Sequence, residues 1–472
     1  MATDKVFALG EFDDVVVRNS ILYCMFLFND VLDVSKLCTS LNSLLKQEGW
    51  HKIGARLRRN KQTGGLEHHI PVEFTESRPA FKLYQSQHAM GRAEHPIASQ
   101  LPRMKTQPTV MMDPNKFRSL WDNPDIPTKM SHYLERDEPQ LSLVIVSFDD
   151  STVMTLVWSH TLFDFMGMGE MLRAWSLTLQ DRSDNVEKPY PVQENPLTDL
   201  GRQPTELHKL HQLQLLGVAL LLISIRTLVE IFLYRQQSRI ICVPARYLQT
   251  VREEALDGLS AASKGPEKPF VSEGDVLFAW WAQLNTAHLA ADSSKPVNLT
   301  NALGWRPTLL PPNRPYLCNA VGFAHLLMPA RDILSKPLGF VALQIRQCIV
   351  ESRRREQIEA YASIWRKCFA KLPPLFGSAN MHVVTCTNWT QARVFDLDFS
   401  AAIVPSRLDT TRPPTERGRP CYVQCCFHGA ILSNVLIILG RDLAGNYWLS
   451  ASTTRRRWGR IEAIMNTFKD GI

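Results

Sequence analysis

The stretch Val153-Met-Thr-Leu-Val-Trp-Ser-His160-Thr-Leu-Phe-Asp164-Phe-Met-Gly-Met-Gly-Glu-Met-Leu-Arg-Ala-Trp175 decides how the chain is read. Its first part, Val153 to Trp158, is a short β-branched and aromatic run of the kind that forms a buried strand. From Met168 to Thr178 apolar residues recur at helical spacing. Between strand and helix lies a turn holding His160 and Asp164. An imidazole at a strand end is fixed by rigid backbone on one side and can face a cleft on the other, which suits a general base near neutral pH. Asp164 falls at the helix start, where a carboxylate caps amides and pairs with a cation. The spacing alone leaves two readings open, because a histidine satisfied inside a core looks the same and His-x-x-x-Asp recurs at His288 and Asp292. That second pair lies toward the end of a predicted helix, Val276 to Leu289, and reads as an i, i+4 pair on a solvated face.

Working outward, further strands are predicted at Asp14 to Val17, Leu141 to Phe148, Val297 to Ala302, His382 to Thr387, Cys421 to His428 and Tyr447 to Ala451. Helices are predicted at Val34 to Leu45 and, after the capping sequence Ser272-Glu273-Gly274-Asp275, from Val276 onward. The mixture predicts an α/β fold. A chain of 472 residues exceeds what one hydrophobic core usually supports. The polar, proline-bearing segment 183–206 then reads as a connection, dividing the chain into 1–182, a connecting segment 183–240 and 241–472.

Within the connection, Leu213 to Tyr234 is apolar except for six residues that include Arg226 and Glu230. On an insertion scale, about 14 aliphatic and Phe residues at roughly −0.5 kcal/mol each are nearly offset by two charges at roughly +3 each, so a span is marginal. One crossing would also put the two halves on opposite sides of a bilayer. A helix lying in the membrane interface, or one docked on the protein, survives that objection.

Composition narrows the rest. The net charge of +7 is spread along the length, without the clustered basic patch of a nucleic-acid binder. Ten cysteines without ligand spacing predict free thiols in a reducing compartment and no metal site. The amino terminus lacks a basic region followed by an apolar one, so a cytoplasmic location is expected, with contact at an intracellular membrane surface as one reading of 213–234; a monomer is the expected state. The sequons at Asn298 and Asn388 are then chance matches. No phosphate loop, His-Glu-x-x-His or Gly-x-Ser-x-Gly elbow occurs. Arg353 to Arg355 and Arg455 to Arg457 read as solvated charged faces.

With these residues in view, the sequence resembles the BAHD acyltransferases, and more closely their fungal, trichothecene acetyltransferase-like branch. His160-Thr-Leu-Phe-Asp164 matches the family's His-x-x-x-Asp. Leu41-Asn-Ser-Leu-Leu45 with Gly54-Ala-Arg-Leu57, Gly274-Asp-Val-Leu-Phe-Ala-Trp-Trp281, Arg306, Pro311-Pro312 and Asn319-Ala-Val-Gly322 follow in the family's order. The resemblance implies two chloramphenicol acetyltransferase-like domains, each with a mixed β-sheet, and an active-site tunnel between them. It implies His160 as general base, and Asp164 turned away from the acceptor and paired with Arg306. Thr387-Asn388-Trp389 resembles the family's Thr-Ser-Trp, which makes Thr387 and Trp389 candidates for the pocket or the oxyanion. Asp398-Phe399-Ser400-Ala401-Ala402 corresponds to the family's structural Asp-Phe-Gly-Trp-Gly.

The implied activity is transfer of an acyl group from acyl-CoA, acetyl-CoA by analogy with the branch, to a hydroxyl of a hydrophobic secondary metabolite. No bound cofactor is implied. Two departures stand out: Phe165 replaces the family's Gly after the Asp, and Asp398 to Ala402 has lost both glycines and the Trp, so its loop either strains or changes shape. The rival readings are a condensation-type amide-forming enzyme, which usually shows two adjacent histidines where this chain has Ser159-His160, and a non-catalytic relative that binds a metabolite or partner.

Overall fold

The computed structural model describes residues 4–263, 268–429 and 433–467. Two mixed sheets dominate it. The first has five strands in the order Pro420–His428, Ile21–Phe28, Thr152–Ser159, Leu141–Ser147 and Lys82–Gln87. Its centre is formed by Ile21–Phe28 and Thr152–Ser159, paired antiparallel and buried at every residue. The second has seven strands in the order Val321–Pro329, Pro296–Gly304, His382–Asn388, Val435–Arg441, Tyr447–Thr454, Gln236–Val243 and Thr109–Val110, with parallel pairing on both sides of His382–Asn388. A three-stranded antiparallel sheet of Lys5–Ala8, Leu66–Ile70 and Arg56–Arg59 stands apart. The α/β class with mixed sheets is as expected. The halves are nevertheless interleaved, since Pro420–His428 completes the five-stranded sheet and Thr109–Val110 the seven-stranded one.

Helix Val34–Leu45 is capped by the Asp33 carboxylate, which accepts from the Lys36 N–H at 3.1 Å, and it buries Leu37, Leu41, Leu44 and Leu45. It meets helix Phe165–Leu179 where the Trp175 indole donates to Ser40 Oγ at 2.9 Å. In the other half, helix Glu273–Thr286 starts from a complete capping box between Ser272 and Asp275. One apolar core joins the five-stranded sheet to one face of the seven-stranded sheet, through Ile240, Cys242, Ile437, Leu439 and Trp448, and a second core covers the opposite face, through Ile241, Val243, Leu436, Ile438 and Leu449. The connection is strapped to the second half, with Leu197 and Leu200 buried and the Arg366 guanidinium donating to the Leu200 carbonyl at 2.7 Å.

Two local expectations are corrected. The predicted strand Asp14 to Val17 is a bend leading into a 3-10 turn at Val16–Asn19, and the strand instead begins at Ile21. The preceding Asp13 is drawn inward to bond Asn319, and Asp14 pairs with Arg18, so the three valines are held in a turn despite their β preference. His288 does not pair with Asp292. Its Nδ1 lies 3.0 Å from the Asn285 carbonyl and its ring meets His382.

The apolar stretch 213–234 contains helix Gly217–Leu233. Among the described residues no helix is long and apolar enough to cross a membrane.

Candidate active site

His160 follows directly on the central strand Thr152–Ser159, and its N–H donates to the Ser20 carbonyl at 3.0 Å. The turn after it is tied down from several sides. The Thr161 hydroxyl donates to Gln140 Oε1 at 2.6 Å, and the Trp158 indole donates to the Phe163 carbonyl at 3.1 Å. Asp164 then caps helix Phe165–Leu179, its Oδ1 accepting from the Gly167 N–H at 2.8 Å. Gly167 is obligatory here, because a Cβ would lie 2.3 Å from the Leu317 carbonyl oxygen.

The Arg306 guanidinium meets Asp164 in a two-pronged pair, Nη1 to Oδ2 at 2.9 Å and Nη2 to Oδ1 at 2.8 Å. Burial pushes the Asp164 carboxyl up. Arg306, with the Gly167 and Ala320 amides, more than reverses this and leaves the group below its ordinary range. Arg306 is fixed in turn by donating to the carbonyls of Tyr316 at 3.0 Å and Cys318 at 2.6 Å. The pair thus joins the His160 turn to the second half of the chain across 142 positions of sequence.

Two residues outside the predicted set complete this support. The Asn319 side chain donates to the His160 carbonyl at 3.0 Å and to buried Asp13 at 2.7 Å, while its backbone N–H donates to the same Asp13 oxygen at 2.8 Å. Asn319 lay in a recognised family element but carried no chemical signal of its own. Asp13 was hidden beside the mistaken strand.

His160, Asp164 and Arg306 line a cavity of about 670 Å³ walled by both halves of the chain, large enough for a small molecule. Burial lowers the His160 imidazole below its ordinary value, while Asp164 and Asn319 pull in the other direction without restoring it. The ring therefore favours the neutral form that accepts a proton. Thr387, at the end of strand His382–Asn388, and Trp389 line the same cavity. Phe165, only 3% exposed, stacks face to face on Trp389 with ring centroids 3.9 Å apart. The residue that replaces the family's glycine thus lines the same cavity as the imidazole.

Phe270, Arg346 and Arg353 also line the cavity. The Arg346 guanidinium lies 5.3 Å from the Phe270 ring centre and pairs with Asp275, while Arg353 keeps a buried Nε. The expectation of a solvated face holds for Arg354 and Arg355, which pair with surface glutamates. It fails for Arg353.

Asp398 is not among the residues lining the cavity. Its carbonyl accepts from Ser176 Oγ at 2.7 Å and Gln180 Nε2 at 3.0 Å, and its carboxylate caps the Ser400 N–H at 2.9 Å. Phe399 is buried against Phe28 and Trp175. Ser400–Ala402 forms a 3-10 turn without positive φ, so the segment as folded here places no demand for glycine.

The chain is 34% identical to the acetyltransferase adrJ of Penicillium rubens, over 94% of this chain and 92% of the relative. It is 34% identical to the acetyltransferase sphE of Aspergillus fumigatus, over 95% and 92%. The chain belongs to the BAHD acyltransferases, in their fungal trichothecene acetyltransferase-like branch. As a BAHD acyltransferase it is an O-acyltransferase of the two-domain, chloramphenicol acetyltransferase-like fold. That fold is shared with F. graminearum TRI101 complexed with coenzyme A and T-2 mycotoxin, at TM-score 0.68 and 14% identity over 97% of both chains. It is shared also with vinorine synthase, at TM-score 0.59 and 12% identity over 98% of this chain and 94% of the other. Another relative of this BAHD chain, 36% identical over 98% of it and 95% of the relative, is the transcriptional regulator calD of Penicillium decumbens. No family model matches the chain.

Proposed function

We propose that this acyltransferase joins acyl-CoA and a small hydrophobic alcohol in one ternary complex, with His160 as general base and acetyl-CoA as donor. The observation that carries the reading is the His160 imidazole on the wall of a cavity between the halves, with its turn clamped by Asp164 and Arg306; burial lowers its pKa, which favours the proton-accepting form. His160 takes the hydroxyl proton as the oxygen attacks the thioester carbon, and returns it to the departing thiolate. Thr387 and Trp389 are the oxyanion or pocket residues, supported by their place on the cavity wall. Asp164, Arg306 and Asn319 position the base by fixing its turn. No acyl-enzyme is invoked. Cys386 also lines the cavity, but burial pushes its thiol up, away from the thiolate a covalent route would use.

Donor binding is supported by Phe270, a flat exposed ring beside Arg346, with Arg353 on the same cavity: an aromatic surface for a base and cations for phosphates. An apolar acceptor is supported by Val15, Phe165, Phe323 and Trp365 along the wall. The proposal includes two acyltransferase domains, 1–182 and 241–472, joined by 183–240, a division supported by the two large sheets, each of which takes one strand from the other half. Contact of 213–234 with a membrane surface belongs to the same proposal, supported by the outward apolar side chains of helix Gly217–Leu233.

Purified protein incubated with acetyl-CoA and a panel of hydrophobic alcohols tests the chemistry, with free thiol as readout. Thiol should appear only when an alcohol is present. Replacing His160 by Ala should lower turnover by about a hundred- to ten-thousand-fold; full transfer by that variant would remove the mechanism. The relative named as a regulator favours a second reading, a fold that binds a metabolite or partner without turnover. That reading expects no thiol with any alcohol.

A further inference from the structure

Helix Gly217–Leu233 carries its amphipathy inside out. Val218, Leu221, Leu222, Ile225, Leu228, Val229, Phe232 and Leu233 are exposed, and their spacing of three and four puts them on one stripe. Val218 is 72% and Phe232 80% exposed. The two charges point the other way. Arg226 donates to the carbonyls of Ala379 and Met381, and Glu230 accepts from Arg457. Ile223, 2% exposed, packs with Leu215 and Met381 beneath the helix. The helix is therefore docked by its polar edge and a narrow apolar seam, while its broadest apolar face points outward.

The end of that face is basic. Tyr234 and Arg235 follow the helix, and the Arg455 N–H donates to the Arg235 carbonyl at 3.0 Å, which brings the start of helix Arg455–Thr467 alongside. Arg235, Arg455, Arg456 and Arg460 are all exposed. A second copy of the chain is a poor occupant. In a twofold contact each arginine group would meet the partner's same face, where the helix's single acid, Glu230, is already held by Arg457. A bilayer surface supplies both halves of the complement: an acyl boundary for the stripe and phosphates for the arginines.

From this arrangement we infer that helix Gly217–Leu233 lies in the plane of an anionic phospholipid bilayer, its apolar stripe in the acyl boundary and Arg235, Arg455, Arg456 and Arg460 on the headgroups. This rests on the membrane contact proposed for 213–234 and adds the lipid class, the orientation and the second element involved. Seventeen residues give a helix of about 25 Å, the length of an interfacial helix seated along the membrane and short of the usual span.

The test is co-sedimentation of the full-length protein with phosphatidylcholine vesicles and with vesicles that also contain phosphatidylserine, at low and raised salt. Binding should be about tenfold tighter to the anionic vesicles at low salt, and salt should erase the difference. The triple variant Arg455→Gln, Arg456→Gln, Arg460→Gln should lose the anionic preference. Leu221→Ser with Phe232→Ser should lose binding to both. Equal, salt-insensitive binding to the two vesicle types would overturn the anionic assignment and leave membrane contact standing. Binding to neither would overturn both. A concentration-dependent dimer in light scattering, abolished by Leu221→Ser with Phe232→Ser, would reassign the face to a second copy. Should the variants fold poorly, amide exchange on the wild type decides: vesicles should protect 217–235 and 455–460, and no protection there sinks the proposal.

Discussion

His160 sits where burial resists its charge, and this fixes the direction of its pH dependence. Burial lowers its pKa, so the neutral base persists to more acid pH than a free histidine allows. kcat/KM should rise with pH and level off with a break below about 6.5, measured under saturating acetyl-CoA; a break above that value would remove His160 as the titrating base. Asp164 sets a second direction. Its folded pKa is depressed, so the stabilisation from Arg306 is fully present above the unfolded value near about 3.9 and is lost as pH falls through the folded one. Asp164→Asn leaves a buried guanidinium without its counter-charge and should cost about 3 kcal/mol in urea unfolding. Arg306→Lys keeps the charge but loses the two-pronged geometry, and should lower kcat more than it raises KM, because the His160 turn is what it aligns. Phe165 makes the most specific prediction at this scale. Its ring lies on Trp389 at the cavity wall, so Phe165→Gly should widen the cavity and admit longer acyl-CoA donors, read as the butyryl-to-acetyl ratio of kcat/KM. An unchanged ratio would show that the stack does not limit donor size.

Strand and helix in the opening stretch were legible because both periodicities are strong there: a continuous buried run from Thr152 to Ser159 and a capped helix from Phe165. The N-cap character of Ser272 was legible from local sequence, whereas the helix it opens starts at Glu273, ahead of the predicted Val276, because Ser272 and Asp275 close a full capping box. What local pattern could not give was the turn at Val16–Asn19. Its conformation is set by Asp13 bonding Asn319, more than three hundred residues away, and the distant partner overrides the β preference of three valines. The Asp164–Arg306 pair is equally distant in sequence, and it was anticipated only through the family resemblance. Gly167 offers a test of the helix start. A methyl there would press on the Leu317 carbonyl, which is backbone and cannot swing away, so Gly167→Ala should destabilise the fold despite alanine's better helix propensity. Thermal unfolding checks the sign, and a stabilised variant would mean that the helix and the 317–320 segment are less tightly apposed than described.

At the scale of the whole molecule, the cavity is lined by strands of both large sheets, and the chain ties those sheets together by interleaving. Strand Pro420–His428 covers Ile21–Phe28 along its full length, although one lies near the end of the chain and the other near its start. A division at 183–206 follows composition, but nothing in composition reveals that each sheet borrows a strand from the other half. Without Pro420–His428, the fully buried strand Ile21–Phe28 would become an exposed apolar edge, the kind that pairs with other chains. Residues 1–182 expressed alone should therefore aggregate or lack cooperative unfolding, whereas the intact chain should unfold in a single thermal transition monitored by both near- and far-ultraviolet circular dichroism. A soluble 1–182 fragment with its own sharp transition would show that the borrowed strand is dispensable, and the two walls of the cavity would then be free to move as separate bodies.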